Sequence, residues 1–226
     1  MNLIINPETD ALLVIDIQND FCPGGALAVA DGDAILPGVI ELARQFKHVI
    51  LTQDWHPKGH ASFASTHGAA PFSTTTLAYG EQVLWPDHCV QGTEGGEFHA
   101  DIAPVVNAAS AVVRKGMNPE VDSYSAFFEN DQTTATGLAG YLRDRGVERV
   151  FCLGLAYDYC VAYSALDARR EGFEAVVVKD LARAIASPVS DGRTTVDVAE
   201  EAFADKGVSV AYYHAPAPTP RTSLKA

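Results

Sequence analysis

The 226-residue sequence predicts an α/β layer fold built on a mostly parallel sheet. Two patterns predict it. Six short β-rich runs are apolar throughout rather than alternating, as strands covered on both faces are. Amphipathic segments of helical period lie between them, and strand alternating with helix is the signature of a parallel layer fold. A third observation concerns size. A chain of this length, with nearly half its residues apolar and a fifth charged, can bury a sizeable core without disulfides or metals. One domain spanning 1–226 is therefore expected.

The elements follow in order. ALLVIDIQ (11–18) reads as the first strand, and AILPGVIELARQF (34–46) as a helix leading to the second, HVILTQDW (48–55). SAVVRKG (110–116) is the third strand. TTATGLAGYLRDRG (133–146) is a helix with Leu138, Tyr141 and Leu142 on one face and Gly146 as its C-terminal stop. RVFCLGLA (149–156) is the fourth strand, followed by a helix over CVAYSALDARREG (160–172). FEAVVVKDLA (173–182), a helix over TTVDVAEEAFADKG (194–207) and VSVAYY (208–213) complete the alternation. Residues 56–104 break it. They are rich in His, Pro, Gly, Ser and Thr with little periodicity, and so long an irregular stretch in a compact domain is usually functional. The Pro-rich tail 214–226 is expected to fray.

The net charge of −13 repels nucleic-acid phosphates and anionic lipid, so neither is expected as a partner. The first residues lack a basic segment followed by an apolar one, and no apolar stretch is long enough to span a bilayer. A cytoplasmic chain is expected, with Cys22, Cys89, Cys152 and Cys160 as reduced thiols.

Ligands of open parallel sheets bind at the carboxyl ends of the strands. Four of the predicted strands end on chemistry there: Asp16, Asp54, Lys115 and the LAYDYC turn that leads into Cys160. A helix N-terminus and a nearby cation both favour a thiolate, which places Lys115 as a partner for a nucleophilic Cys160. Asp16 could carry the thiol proton to a leaving group, and backbone N–H groups around Ala156 and Cys160 could hold an oxyanion. The alternative is a buried structural thiol with Asp16 in a turn and Lys115 exposed, and spacing alone leaves both open. Asp54-x-His56 sets two ligand types on one side of an extended chain, with His60 and His88 further on. One carboxylate and two imidazoles can hold a divalent cation with positions left open, although a hydrogen-bonded loop histidine is the commoner case. Phe21, Trp85, Tyr124 and Tyr159 are either core residues or the walls of a slot for a flat ring.

Five stretches then occur in a recognisable order over roughly residues 10–186: LLVIDIQNDFCPGGALAV, LTQDWHPKGHASFAS, LWPDHCVQGTEGGEFH, VVRKGMNPEVDSYSAFFEN and VFCLGLAYDYCVAYSALDARREGF. In these the chain resembles the isochorismatase-like cysteine hydrolases, on the nicotinamide-deamidating side of that family. The resemblance implies a three-layer α/β/α sandwich, Rossmann-like in its sheet. It implies hydrolysis of nicotinamide to nicotinate and ammonia through a cysteine thioester, with pyrazinamide as a further substrate and NAD salvage as the setting. It implies a triad of Asp16, Lys115 and Cys160, with oxyanion donors at Ala156 and Cys160. Metal ligands fall on Asp54, His56 and His88, with Ser62 or His60 in a more variable position. Zinc suits that set, and iron and manganese suit it too. Phe21 and Trp85, with Tyr124 and Tyr159 beside them, fall on ring-binding positions, and a cis peptide is implied before Ala156. The chain departs from the family at Ala126, where Gly is frequent, and in details of the LAYDYC turn. Ureidoacrylate and N-carbamoylsarcosine amidohydrolases, and a catalytically silent binding member, are the alternatives. Monomer and homo-oligomer are both left open.

Overall fold

A computed structural model of the chain describes residues 3–213, so the tail 214–226 lies outside the described residues. All six expected strands are present: β1 (Asp10–Ile15), β2 (His48–Asp54), β5 (Ala111–Lys115), β6 (Arg149–Leu155), β7 (Glu174–Arg183) and β8 (Ser209–Ala211). They form one sheet in the order β5-β2-β1-β6-β7-β8, with every neighbouring pair parallel. The four strands whose ends carry Lys115, Asp54, Asp16 and the Cys160 turn are thus consecutive neighbours.

Helices cover both faces. α1 (Leu36–Ala43) and α3 (Ala103–Ala108) pack on one side; α4 (Leu138–Arg143), α5 (Ala162–Arg170) and α6 (Thr195–Lys206) pack on the other. β1 shows why the strand runs do not alternate. Leu12 and Val14 enter the core under α1 and α3, while Ala11, Leu13 and Ile15 enter the core under α4, α5 and α6. Side chains alternate between the faces, but both faces are dry.

Three expectations change in detail. α4 begins at Leu138 rather than near 133, because Asp131 accepts hydrogen bonds from the Thr133 and Thr134 amides and the Thr134 hydroxyl, and this turn outcompetes helix. The helix expected from residue 160 is preceded by a wide turn over Tyr157–Val161, in which the Val161 N–H donates five residues back to the Ala156 carbonyl. Such wide turns concentrate at functional sites. Residues 56–104 are more structured than their composition suggests. They hold a short helix α2 (Ala64–His67), the antiparallel hairpin β3 (Thr74–Leu77) with β4 (Gly80–Val83), and the first residues of α3.

One glycine is fixed by its surroundings. Gly154 in β6 has φ 117°, and a Cβ there would fall 2.1 Å from the Ile15 carbonyl oxygen. No side chain fits between β6 and β1 at that level, so the strand leading to the Cys160 turn lies directly against the strand leading to Asp16. No helix among the described residues is long and apolar enough to cross a membrane. All four cysteines are free and buried.

Candidate active site

Lys115 is the centre of the site. It ends β5, paired in register with Asp54 at the end of β2. Its ammonium donates to Asp54 Oδ1 (2.8 Å), the Ser123 carbonyl (3.0 Å) and Cys160 Sγ (3.4 Å). Those three bonds use all its N–H groups. Asp16 Oδ2 also lies 2.8 Å from Nζ, yet it makes no aligned hydrogen bond. It is ion-paired with a lone pair left over. Asp16 stands directly after β1 at φ 49°, where its amide donates to Thr52 Oγ1 (3.1 Å) and the Thr52 hydroxyl donates back to Oδ1 (2.6 Å). The carboxylate is thereby oriented, with Oδ2 the oxygen free to take a proton.

Charge in this cluster differs from the expectation. A thiol depressed by Lys115 and a helix N-terminus was expected. Instead, burial pushes the Cys160 thiol well above the ordinary range; Lys115 pulls it down, but Asp16 and Asp54 add to the upward push. One ammonium already balances two carboxylates and cannot fully hold a third anion. Burial likewise raises Asp16, against the pull of Lys115. Burial works against the Lys115 ammonium too, but Asp16 and Asp54 outweigh it and keep it charged. The resting cysteine is therefore a thiol, with the Asp16 carboxyl and Cys160 Sγ both held against the Lys115 ammonium.

Asp54, His56 and His88 converge on the other side of Asp54. His56 Nε2 lies 3.2 Å and His88 Nε2 3.4 Å from Asp54 Oδ2. Each ring is held from behind: Nδ1–H of His56 donates to the Gly116 carbonyl (2.9 Å) and that of His88 to the Pro86 carbonyl (2.8 Å). These bonds assign the tautomers and aim both Nε2 lone pairs at one carboxylate oxygen. All three residues are buried, and their donor atoms lie within 4.8 Å of one another. Converging lone pairs on an anion need a cation between them, so the donor set fits a divalent metal. Gln18 fixes the Asp54 backbone, donating to its carbonyl and accepting from its amide, both at 2.8 Å.

His60 and Ser62, the variable pair, are engaged with each other. His60 Nδ1 accepts from the Ser62 hydroxyl (2.8 Å) and Nε2–H donates to the Asn118 carbonyl (2.8 Å), which leaves no lone pair on that ring. His60 nonetheless falls in a second tight group with His56 and Asp122.

Phe21, Trp85, Tyr124 and Tyr159 line one cavity with Ala156 and Cys160. Trp85 meets Tyr159 edge-on at 5.0 Å between centroids, Tyr124 meets Tyr159 at 5.6 Å, and Trp85 Nε1–H donates to the Tyr124 hydroxyl. Edge-to-face contacts lock the rings into walls rather than into a collapsed stack. Asp54 and His88 open onto the same cavity, so the Asp/His/His group and the sulfur share it. The peptide between Leu155 and Ala156 is cis, and Ala156 and Cys160 lie on the same wall. Sequence reasoning missed Leu27, Asp122 and Ile185, which also line the cavity. It also missed Thr52, Ser123 and Gln18, which orient the charged groups. Leu27, Asp122 and Gln18 sit inside the recognised stretches; Ile185 carries no sequence signal.

Comparison with known proteins agrees with this geometry. A family model described as the isochorismatase domain matches residues 10–202. The nicotinamidase of Acinetobacter baylyi is 50% identical over 176 residues, which span 77% of this chain and 81% of that protein. Among solved structures, an Acinetobacter baumanii nicotinamidase/pyrazinamidase superposes with a TM-score of 0.87 at 47% identity, covering 92% of this chain and 98% of the other. The pyrazinamidase of Pyrococcus horikoshii in complex with zinc superposes with a TM-score of 0.71 at 36% identity, covering 91% and 99%.

Proposed function

This chain belongs to the isochorismatase family, and from that premise we propose that it hydrolyses nicotinamide to nicotinate and ammonia through a thioester on Cys160, with pyrazinamide as a second substrate. The observation that carries the proposal is the ammonium of Lys115 touching Asp16, Asp54 and Cys160 at once, beside a converging Asp/His/His donor set. A scaffold or binding member has no use for a buried thiol aimed at a base.

The chemistry proceeds from the resting thiol. Cys160 Sγ attacks the carboxamide carbon as its proton passes to Asp16 Oδ2, so the sulfur never has to persist as a third anion beside Lys115. The carbonyl oxygen takes the negative charge, and backbone N–H groups at Ala156 and Cys160 stabilise it. Asp16 then gives the proton to the amide nitrogen. The C–N bond breaks, ammonia leaves, and the acyl group remains on sulfur. Water attacks the thioester carbon and gives a proton to Asp16. The C–S bond breaks, Asp16 returns the proton to the sulfur, and the product leaves as the acid, which loses its proton to solvent to become nicotinate. Lys115 stays charged throughout and holds both anions in reach.

Trp85, Phe21, Tyr124 and Tyr159 hold the flat ring. A divalent ion on Asp54, His56 and His88 would anchor the pyridine nitrogen and so orient the amide toward Cys160. Zinc, as in the Pyrococcus relative, suits the set, as do iron and manganese. The reaction would return the ring to NAD synthesis, and four unpaired thiols fit a reducing cytoplasm.

The test is ammonia release from nicotinamide, pyrazinamide, a ureido acid and a carbamoyl amino acid, with metal content measured on the same sample. Release from the two ring amides, lost on chelation, is the expected result. No release from folded, metal-loaded protein would end the proposal. Release from the carbamoyl or ureido substrate alone would move the chain to the metal-free amidohydrolases.

A further inference from the structure

Asp158 sits in the same turn as Cys160, two residues before the sulfur, and is 4% exposed. Its carboxylate bonds away from the triad. Oδ1 accepts from the Ile185 amide (3.0 Å), and Oδ2 accepts from the Ala186 amide (2.8 Å) and the Thr195 hydroxyl (2.5 Å). These donors come from both ends of one segment. Ile185 and Ala186 follow the end of β7 at Arg183, and Thr195 opens α6. One side chain therefore clamps the loop 184–194 shut and ties it to the turn of the nucleophile. Ala186 has φ 56°, a left-handed conformation that a non-glycine residue keeps only where its surroundings impose it. Ile185 lines the cavity with Cys160 and Tyr159, so the clamped loop forms part of the ring pocket.

We propose that Asp158 is a positioning residue for substrate selection: by clamping the loop 184–194 it holds Ile185 as a fixed wall of the ring pocket, and so sets which ring sizes the site accepts. The proposal rests on the ring-amide hydrolase reading. The physical case is directional. A buried carboxylate must be fully hydrogen-bonded, and this one spends its bonds on the loop that carries a pocket wall. Without it the loop amides lose their acceptor and Ile185 loses its fixed place. A wall that touches the ring equally before and during reaction contributes uniform binding, so its loss raises KM and spares kcat.

The experiment compares Asp158→Asn, Ile185→Ala and the double variant on nicotinamide and on the wider quinoline-3-carboxamide. Asparagine keeps the shape but presents an NH2 group to at least one loop donor. Asp158→Asn is expected to raise KM for nicotinamide about tenfold with kcat within about threefold, and to narrow the preference for the smaller ring. Because both residues act through one wall, the double variant should match Ile185→Ala within about twofold. Additive losses, an unchanged KM, or a fall in kcat alone would overturn the proposal. Should Asp158→Asn fail to fold, Thr195→Val removes one bond of the three and is expected to raise KM about threefold with kcat retained; no rise overturns it. Hydrogen exchange separates this proposal from the hydrolase reading. Faster exchange at the Ile185 and Ala186 amides in Asp158→Asn is expected whether or not any amide is turned over, and unchanged exchange refutes the clamp. An inactive parent refutes the hydrolase reading instead.

Discussion

Replacing Asp16 by Asn isolates the proton transfer from everything else the residue does. Thr52 donates its hydroxyl to Oδ1, so the amide oxygen takes that position and the NH2 group takes the place of Oδ2. Asn is the non-glycine residue best suited to φ 49°, so the backbone is undisturbed. Lys115 keeps its bonds to Asp54, Ser123 and Cys160. What disappears is the oxygen of the cluster without an aligned donor, the proposed acceptor for the Cys160 proton. A positioned general base is worth about 10²–10⁴ in rate, or roughly 2.7–5.5 kcal/mol of barrier. Asp16 does not line the ring cavity, so the loss should fall on kcat and leave KM within about threefold. Steady-state ammonia release from nicotinamide, with circular dichroism as a control on folding, measures it. If kcat stays within about threefold of the parent, the proton goes elsewhere and the assignment of Asp16 as base is wrong.

Cys160→Ala should abolish ammonia release while calorimetry still detects nicotinamide binding; turnover above about 1% of the parent would remove the thioester from the mechanism. Because burial holds the Cys160 thiol high, its alkylation by iodoacetamide should keep accelerating above about pH 8.5, where a free cysteine levels off. A profile already flat near about pH 7 would mean a preformed thiolate. His88→Ala removes one of two imidazole donors. It should lower metal content and raise KM at least about tenfold while the protein stays folded, and unchanged metal stoichiometry would refute its place as a ligand.

The strands were legible because burial on both faces writes a continuous apolar run, as β1, β2 and β6 show. Their order in the sheet was not, yet the polar residue at each strand end sufficed to bring Asp16, Asp54, Lys115 and Cys160 together. The hairpin β3–β4 escaped notice because Thr74–Leu77 is polar and only half-buried on its better face. α3 hid in a Pro-rich stretch, with Pro104 in its first turn. The thiol's high proton affinity was missed because sequence reveals a lysine and a helix start but not how deeply the sulfur is buried, nor that Asp54 and Asp16 already share that lysine. Ile185 is one apolar loop residue among many until a carboxylate from another segment is seen to hold its backbone.

Gly154 sets a boundary for anyone reshaping this protein. With only hydrogen available there, the gap between the strands bearing acid and sulfur cannot be widened by mutation, and even alanine would strike the opposite backbone. Libraries aimed at bulkier amides should leave that position untouched and draw their diversity from Leu27 and Ile185, where the chain is free of ladder partners.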